Sequence, residues 1–201
     1  MDIKTATIID IKATDTTRYA QATQVASSQI MFTDTNQGVI EVNPKKPWEE
    51  SHRLCYVRRS ITSEQKGLYG IHHRELDGAD YYKNVLNDVM AKVETDYIVC
   101  HDAKHIMQLL SNAGVPVDAF DFICMLSVVK KLYPKLGSYT IPTLIYEFCE
   151  NTAIACMPHN WHGRHDIGFM REIFRQVSVL NGLHTMQDWY ELSLEVAHGK
   201  A

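Results

Sequence analysis

The chain has 201 residues, 45% of them hydrophobic and 22% charged, with a formal net charge of −4. These are ordinary values for one soluble globular domain with a real core, and a slightly acidic balance weighs against a protein that coats nucleic acid without regard to sequence. No run approaches the roughly 18 consecutive apolar residues of a membrane span, and the start MDIKTATIID lacks the basic and apolar regions of a secretory signal.

Five scattered cysteines (Cys55, Cys100, Cys124, Cys149, Cys156) without a C-x-x-C pair read as reduced, mostly buried thiols, which fits a cytoplasmic location. Thr5 to Ala13 is an apolar run with an embedded acid, the pattern of a buried strand. Gln24 to Thr33 and Gly38 to Val42 follow as antiparallel neighbours, with Asp34 to Gly38 as the turn between them. Tyr56 to Ile61 reads as a further strand, and Ser63 begins a segment running toward Tyr69. Tyr82, Val85, Leu86, Val89 and Val93 recur at helical spacing and predict a helix over 79–93.

Tyr97 to Cys100 is a second apolar strand, followed by His101-Asp102 and a helix to about Asn112 that Gly114-Val115-Pro116 stops. Phe122 to Val128 reads as a buried strand, or as a strand passing into a helix that ends at Pro134. Helices are predicted over 141–149, with Pro142 in the first turn, and over 166–180. A further amphipathic helix over 185–198 is a candidate docking element unless it packs on its own domain. Strands first, then strands alternating with helices, predict one α/β domain over 1–201 with a mixed sheet.

Six local patterns in this order resemble the DnaQ-like (DEDDh) 3′–5′ exonucleases, in particular the exodeoxyribonuclease X branch. The strand ending in Asp10 is similar to the family's first motif, an aspartate two residues before a glutamate. Ser63-Glu64 through Gly70-Ile71-His72 is similar to a helical turn ending in Ile-His, and Val99 to His105 to a strand–helix junction with a His-Asn pair. Phe122 through Leu132-Tyr133-Pro134, the helix from Ser138 to Cys149, and Asp166 to Phe174 complete the set. The resemblance covers about residues 5–180 and implies an RNase H-like mixed sheet flanked by helices.

It also implies phosphodiester hydrolysis by two divalent metals, Mg²⁺ or Mn²⁺, held by four acids with a histidine as general base. Asp10 matches the first acid. Lys12 stands where a glutamate is expected, and Ile106 where an aspartate is expected. Counting five forward from His159 puts the fourth acid at Arg164, whereas the helix register puts it at Asp166. The helix register is preferred, because Glu172, Ile173 and Phe174 then also fall on family positions.

Asp10 and Asp166 are thus the candidate metal ligands, with His159 and His162 the candidates for the base. His72, His101, Lys12, Lys104 and Arg164 are the candidate nucleic-acid contacts. Asp102 and Asp15 lie close enough in sequence to act as substitute ligands. Lys12 either pairs with Asp10 or points to solvent at the strand end. Trp161, Trp189 and Tyr190 are core, interface or base-stacking residues, and Lys130-Lys131 and Arg58-Arg59 read as solvated face.

The first functional reading is a degenerate, catalytically impaired exonuclease homologue that acts as a nucleic-acid-binding or protein-assembly subunit and needs no metal. The alternatives are an active exonuclease with a substituted ligand set, and a pure protein-interaction module. The partners expected are single-stranded nucleic acid, a protein or a second copy of the chain, and no membrane.

Overall fold

β1 (Ile3–Ala13) is apolar on both faces, which forces it into the middle of a covered sheet. The computed structural model describes residues 3–33, 40–41, 51–156 and 166–197. Side chains alternate across a strand with period two. Ile9, Ile11 and Ala13 enter one core with Val25, Ile98 and Cys100, while Ala6 and Ile8 enter a second core with Ala26, Ile30, Val99 and Ile123.

β2 (Ala22–Thr33) pairs antiparallel with β1 over its length, Asp10 opposite Ala26 and Lys12 opposite Gln24, with a register slip between Lys12 and Ala13. β3 (Ile40–Glu41) and β4 (Ser51–Leu54) both pair antiparallel with the outer edge of β2. On the other side of β1 lie β5 (Tyr97–Cys100) and then β6 (Phe122–Cys124), both parallel to it. The result is a six-stranded mixed sheet among the described residues, in the order β3-β2-β1-β5-β6 with β4 beside β2.

A short α1 (Ser63–Tyr69) precedes α2 (Tyr82–Met90) and α3 (Ala103–Ala113), and the latter two cover the first face. α4 (Met125–Leu132), α5 (Ile141–Cys156), α6 (Asp166–Asn181) and α7 (Met186–Ala197) lie on the second. The RNase H-like mixed sheet flanked by helices is therefore the observed architecture.

Several boundaries differ from the sequence expectation. Residues 56–61 form no strand. Cys55, Val57 and Ile61 are buried and mimic an alternating pattern, but the backbone hydrogen bonds go elsewhere. The amides of Arg58 and Arg59 donate to the Gln21 side chain, and that of Thr62 to Thr14 O. The strand lies earlier, at β4. Helix α2 begins at Tyr82 rather than Ala79 because an isolated bridge between Tyr56 and Tyr81 holds the chain extended there. It ends at Met90 rather than Val93, where the amides of Lys92 and Val93 turn back onto Val89 and Met90. Phe122 to Val128 is the strand-into-helix alternative, with the change at Met125. α5 runs on past Cys149, where the backbone leaves helical geometry (φ −140°, ψ 42°). The turn expected over 34–38 lies outside the described residues.

α7 begins one residue after Thr185, which caps it. Thr185 Oγ1 accepts from the Asp188 amide, and Asp188 accepts from the Thr185 amide, a reciprocal arrangement that satisfies two orphan donors. Trp189 is fully buried, stacks on Phe174 with ring centroids 4.2 Å apart, and donates to Ser178 Oγ at 2.8 Å. Of the two readings of this helix, packing on its own domain is the observed one: its largest side chain is committed to its own core. Of the cysteines whose side chains are described, all are free, with Cys55, Cys100 and Cys149 buried. Replacing Trp189 with alanine should cost about 3–5 kcal/mol in a urea unfolding titration. A change under about 1 kcal/mol would mean that α7 is not integral to the fold.

Candidate functional site at the carboxyl end of the sheet

Asp10 and Lys12 are two residues apart on β1, so both side chains project from the same face, beyond the core positions Ala6 and Ile8. The end of α6 that opens with Asp166 packs against this end of β1. All three residues are buried, at 9%, 6% and 2% exposure respectively. Lys12 Nζ lies 2.7 Å from Asp10 Oδ2 and also pairs with Asp166 Oδ2. The approach to Asp10 is close but not along a hydrogen-bonding direction, which leaves Oδ2 in an ion pair without a directed donor. Asp166 Oδ1 is buried without a partner.

Two carboxylates therefore share one ammonium. Burial works against the Lys12 charge, but the two flanking carboxylates outweigh it and raise the ammonium's pKa above its ordinary value. The Tyr69 ring adds a cation–π contact, its centroid 4.9 Å from Nζ. Burial pushes the Asp166 carboxyl up to about 6; Lys12 holds it down and the neighbouring Asp10 adds to the rise. A carboxylate at a helix N-terminus is favoured by the peptide dipoles, which offsets part of that burial cost.

Around this cluster is a cleft of about 480 Å³. α1 contributes Gly67, Leu68 and Tyr69 to its wall. That helix is capped by Thr62, which accepts from the Gln65 amide, and it ends at Gly70 in a left-handed conformation (φ 66°) that glycine adopts without strain. The junction after β5 contributes His101, Asp102, His105 and Ile106, and the start of α5 contributes Thr140, Ile141 and Pro142. Asp102 caps α3 by accepting from the His105 amide at 3.2 Å. Burial lowers the His101 pKa, so its ring is neutral at neutral pH, and its Nδ1 has no partner. Apart from the charged cluster and these polar groups, the walls are mostly apolar.

The sequence candidates fall into three groups. Asp10, Lys12, Asp166, His101 and Ile106 converge on the cleft, and the convergence of Asp166 with Asp10 supports the helix register over Arg164. Lys12 takes the pairing alternative and does not reach solvent. His72, Lys104 and Asp15 are not among the cleft-lining residues. His72 is exposed, with its amide donating to Glu75 Oε2 at 2.6 Å, and Lys104 is exposed on α3. Asp15 is held by Thr14, Thr17 and Arg59. His159, His162, Arg164 and Trp161 lie outside the described residues. The wall residues Tyr69, Ile141 and Pro142 were not legible as site residues; the only sequence signal for them is the Gly70 stop after α1 and the proline in the first turn of α5.

Divalent metal is the cofactor that the resemblance implies, and the described residues suit it poorly. Mg²⁺ requires near-octahedral oxygen ligation. Here the two convergent carboxylates already share a cation, Ile106 offers no ligand atom, and Asp166 Oδ1 is buried without a hydrogen-bond partner. Among the described residues no group of three or more His, Cys, Asp and Glu side chains could hold a metal ion.

With the geometry in hand, comparison with solved structures is informative. Exonuclease X in complex with 5′-overhanging duplex DNA superposes with a TM-score of 0.64 at 14% identity, over 94% of this chain and 99% of that one. A 3′-exonuclease solved in a study of 3′-end-specific recognition of a histone mRNA stem-loop gives 0.60 at 12% identity, over 92% and 85%. The fold is that of the DnaQ-like exonucleases. E. coli Exonuclease I bound to a dA16 oligonucleotide gives 0.65 at 13% identity, over 92% of this chain but only 42% of the larger enzyme. No protein-family model matches the sequence, and no curated protein does. Among the described residues, no helix is long and apolar enough to cross a membrane.

The buried cluster gives two expectations. Lys12→Met leaves two carboxylates facing each other without their cation. It should destabilise the protein by about 3–5 kcal/mol near neutral pH, and adding Asp166→Asn should recover part of the loss in the same denaturation assay. The second concerns pH. Asp166 titrates near 6 in the folded chain and at 3.8 in the reference state, so the folded form takes up the proton first as pH falls. The cost of burying this carboxylate is thus fully present above pH 6 and is relieved on acidification. Among the described residues, Lys12, Asp10, Tyr69, His101, Asp102 and His105 are the ionisable groups that line the cleft with it. Relative to Asp166→Asn, the wild type should gain about 2 kcal/mol between pH of about 7.5 and about 4.5. An unchanged difference between the two proteins would contradict a buried, proton-sensitive Asp166.

Proposed function

We propose that this protein is a DnaQ-fold homologue of 3′–5′ exonucleases that binds nucleic acid without metal-dependent hydrolysis. The observation that carries the reading is the Lys12 ammonium lodged between Asp10 and Asp166. Metal-assisted hydrolysis needs several carboxylates free to converge on divalent ions that activate a water and steady the leaving oxygen. An internal ammonium supplies the positive charge that keeps the acids from repelling each other, but it only donates hydrogen bonds and cannot act as the Lewis acid that activates a water. The shape of the cleft is kept while its reactive charge is consumed internally.

Binding is the part of the family's behaviour that such a site retains. The similar structures include complexes with an overhanging duplex and with an oligonucleotide, and the cleft here is open to solvent with Leu68 and Tyr69 on its wall. Aromatic and apolar walls of this kind accept unstacked bases irrespective of sequence. A role purely in protein assembly predicts no affinity for single strands.

The test combines Mn²⁺ titration by calorimetry with an assay for shortening of a labelled single strand from its 3′ end. The expected result is a strand that is bound and left intact, with no heat of metal binding. Metal-dependent shortening that Asp10→Ala or Asp166→Ala abolishes would establish the alternative, an active exonuclease with substitute ligands. Conversely, the double substitution Lys12→Glu and Ile106→Asp should introduce Mn²⁺ binding where the wild type has none.

A further inference from the structure

The carboxyl end of the sheet carries more than the cleft. β4 is antiparallel to β2 and therefore runs in the direction of β1, so the segment after it, 55–60, leaves the sheet at the same end as Lys12. The connection from β1 to β2, residues 14–21, turns at that end as well. The two loops are tied together: Gln21 Oε1 accepts the amides of Arg58 and Arg59 at 2.8 and 3.2 Å. Asn112, near the end of α3, donates to the carbonyls of Arg18 and Ala20 at 3.0 and 3.1 Å. Ile106, on the cleft wall, is six residues earlier on the same helix, so this loop pair begins roughly 9 Å from the cleft along α3.

Their exposed side chains alternate between guanidinium and phenol. Arg18 lies over the Tyr19 ring at 4.6 Å and also donates to its hydroxyl, and Arg58 lies over the Tyr81 ring at 5.1 Å. Tyr19 is 58% exposed and Tyr56 38% exposed. The acids nearby are already occupied. Asp80 and Asp88 pair with Arg53, and Asp15 pairs with Arg59. Among the described residues Arg18 and Arg58 meet no carboxylate, although the whole chain is acidic. Two unneutralised guanidiniums next to solvent-facing aromatic rings, on loops held in place by backbone hydrogen bonds, match a ligand that is anionic along its length and planar in its side groups. Single-stranded nucleic acid has that chemistry.

We propose that the loops 14–21 and 56–60 form a second contact surface for single-stranded nucleic acid beside the cleft, with Arg18 and Arg58 on phosphates and Tyr19 and Tyr56 on bases. It rests on the reading of this protein as one that binds nucleic acid, and it gives Arg58, exposed as the sequence suggests, a role on that face. Arg18, over the Tyr19 ring and donating to its hydroxyl, orients the ring, which is 58% exposed and open to a base.

The test is fluorescence anisotropy of the full chain with a labelled oligothymidylate over a range of salt concentrations. Each additional phosphate contact on a single strand steepens the dependence of log affinity on log salt by about 0.7. The double variant Arg18→Ala, Arg58→Ala should therefore bind more than about tenfold more weakly at low salt, with a slope shallower by about 1.4. Tyr19→Ala should lose about tenfold in affinity with its slope unchanged, the mark of lost stacking rather than lost charge. All three side chains are exposed, and melting curves matching the wild type would confirm that folding is intact. Wild-type affinity and slope in the double variant would overturn this surface and leave the cleft as the binding site. No binding by the wild-type chain would overturn both the surface and the reading on which it rests.

Discussion

The charge balance of three buried side chains governs the functional end of this molecule. Asp10 and Asp166 lie far apart in the chain and, buried where they line the cleft, would repel each other; Lys12 makes their approach tolerable. The docking of α6 on β1, the position of Tyr69 over the ammonium and the neutral state of His101 are all compatible with a cluster carrying two negative charges and one positive. Burial of the Asp166 carboxylate, opposed by Lys12 and reinforced by Asp10, accounts for its raised proton affinity without any external ligand.

This arrangement separates what a fold does from what its site does. The fold follows the DnaQ-like exonucleases closely enough for superposition over 94% of the chain, even at 14% identity. Packing tolerates that divergence because volume and patterning suffice to hold a core. Metal chemistry is in general less tolerant, since a cationic side chain in place of an anionic one reverses the sign of the interaction with a divalent ion.

Much of this was legible in the sequence for physical reasons that can be named. An aspartate inside an apolar strand calls for a partner, and the lysine two positions on supplies one on the same face, which period-two alternation already implies. The third member came from the family resemblance, which set Asp166 beside Asp10 by helix register; nothing local in Asp166 says that it meets Lys12, 154 positions away. Local pattern also misled over 56–61, where buried side chains alternate on a backbone hydrogen-bonded to a glutamine rather than to a strand. The extent of α5 was underestimated because its two helical halves meet at Cys149 in non-helical geometry, where the expected helix was drawn to end.

The separation of 154 residues between Lys12 and Asp166 also has a bearing on how the protein is made. At synthesis rates of about 5–20 residues per second, Lys12 waits roughly 8–30 s on the ribosome before its second carboxylate exists. During that interval β1 can pair with β2 and Lys12 can meet Asp10, but the parallel neighbour β5 arrives only after most of a hundred further residues. The last helices thus close over a strand that has been balanced one charge to one. The arrival of Asp166 converts a neutral pair into a triad only when the second core is assembled around it, which makes this cluster a late clasp on the folding chain rather than a seed for it.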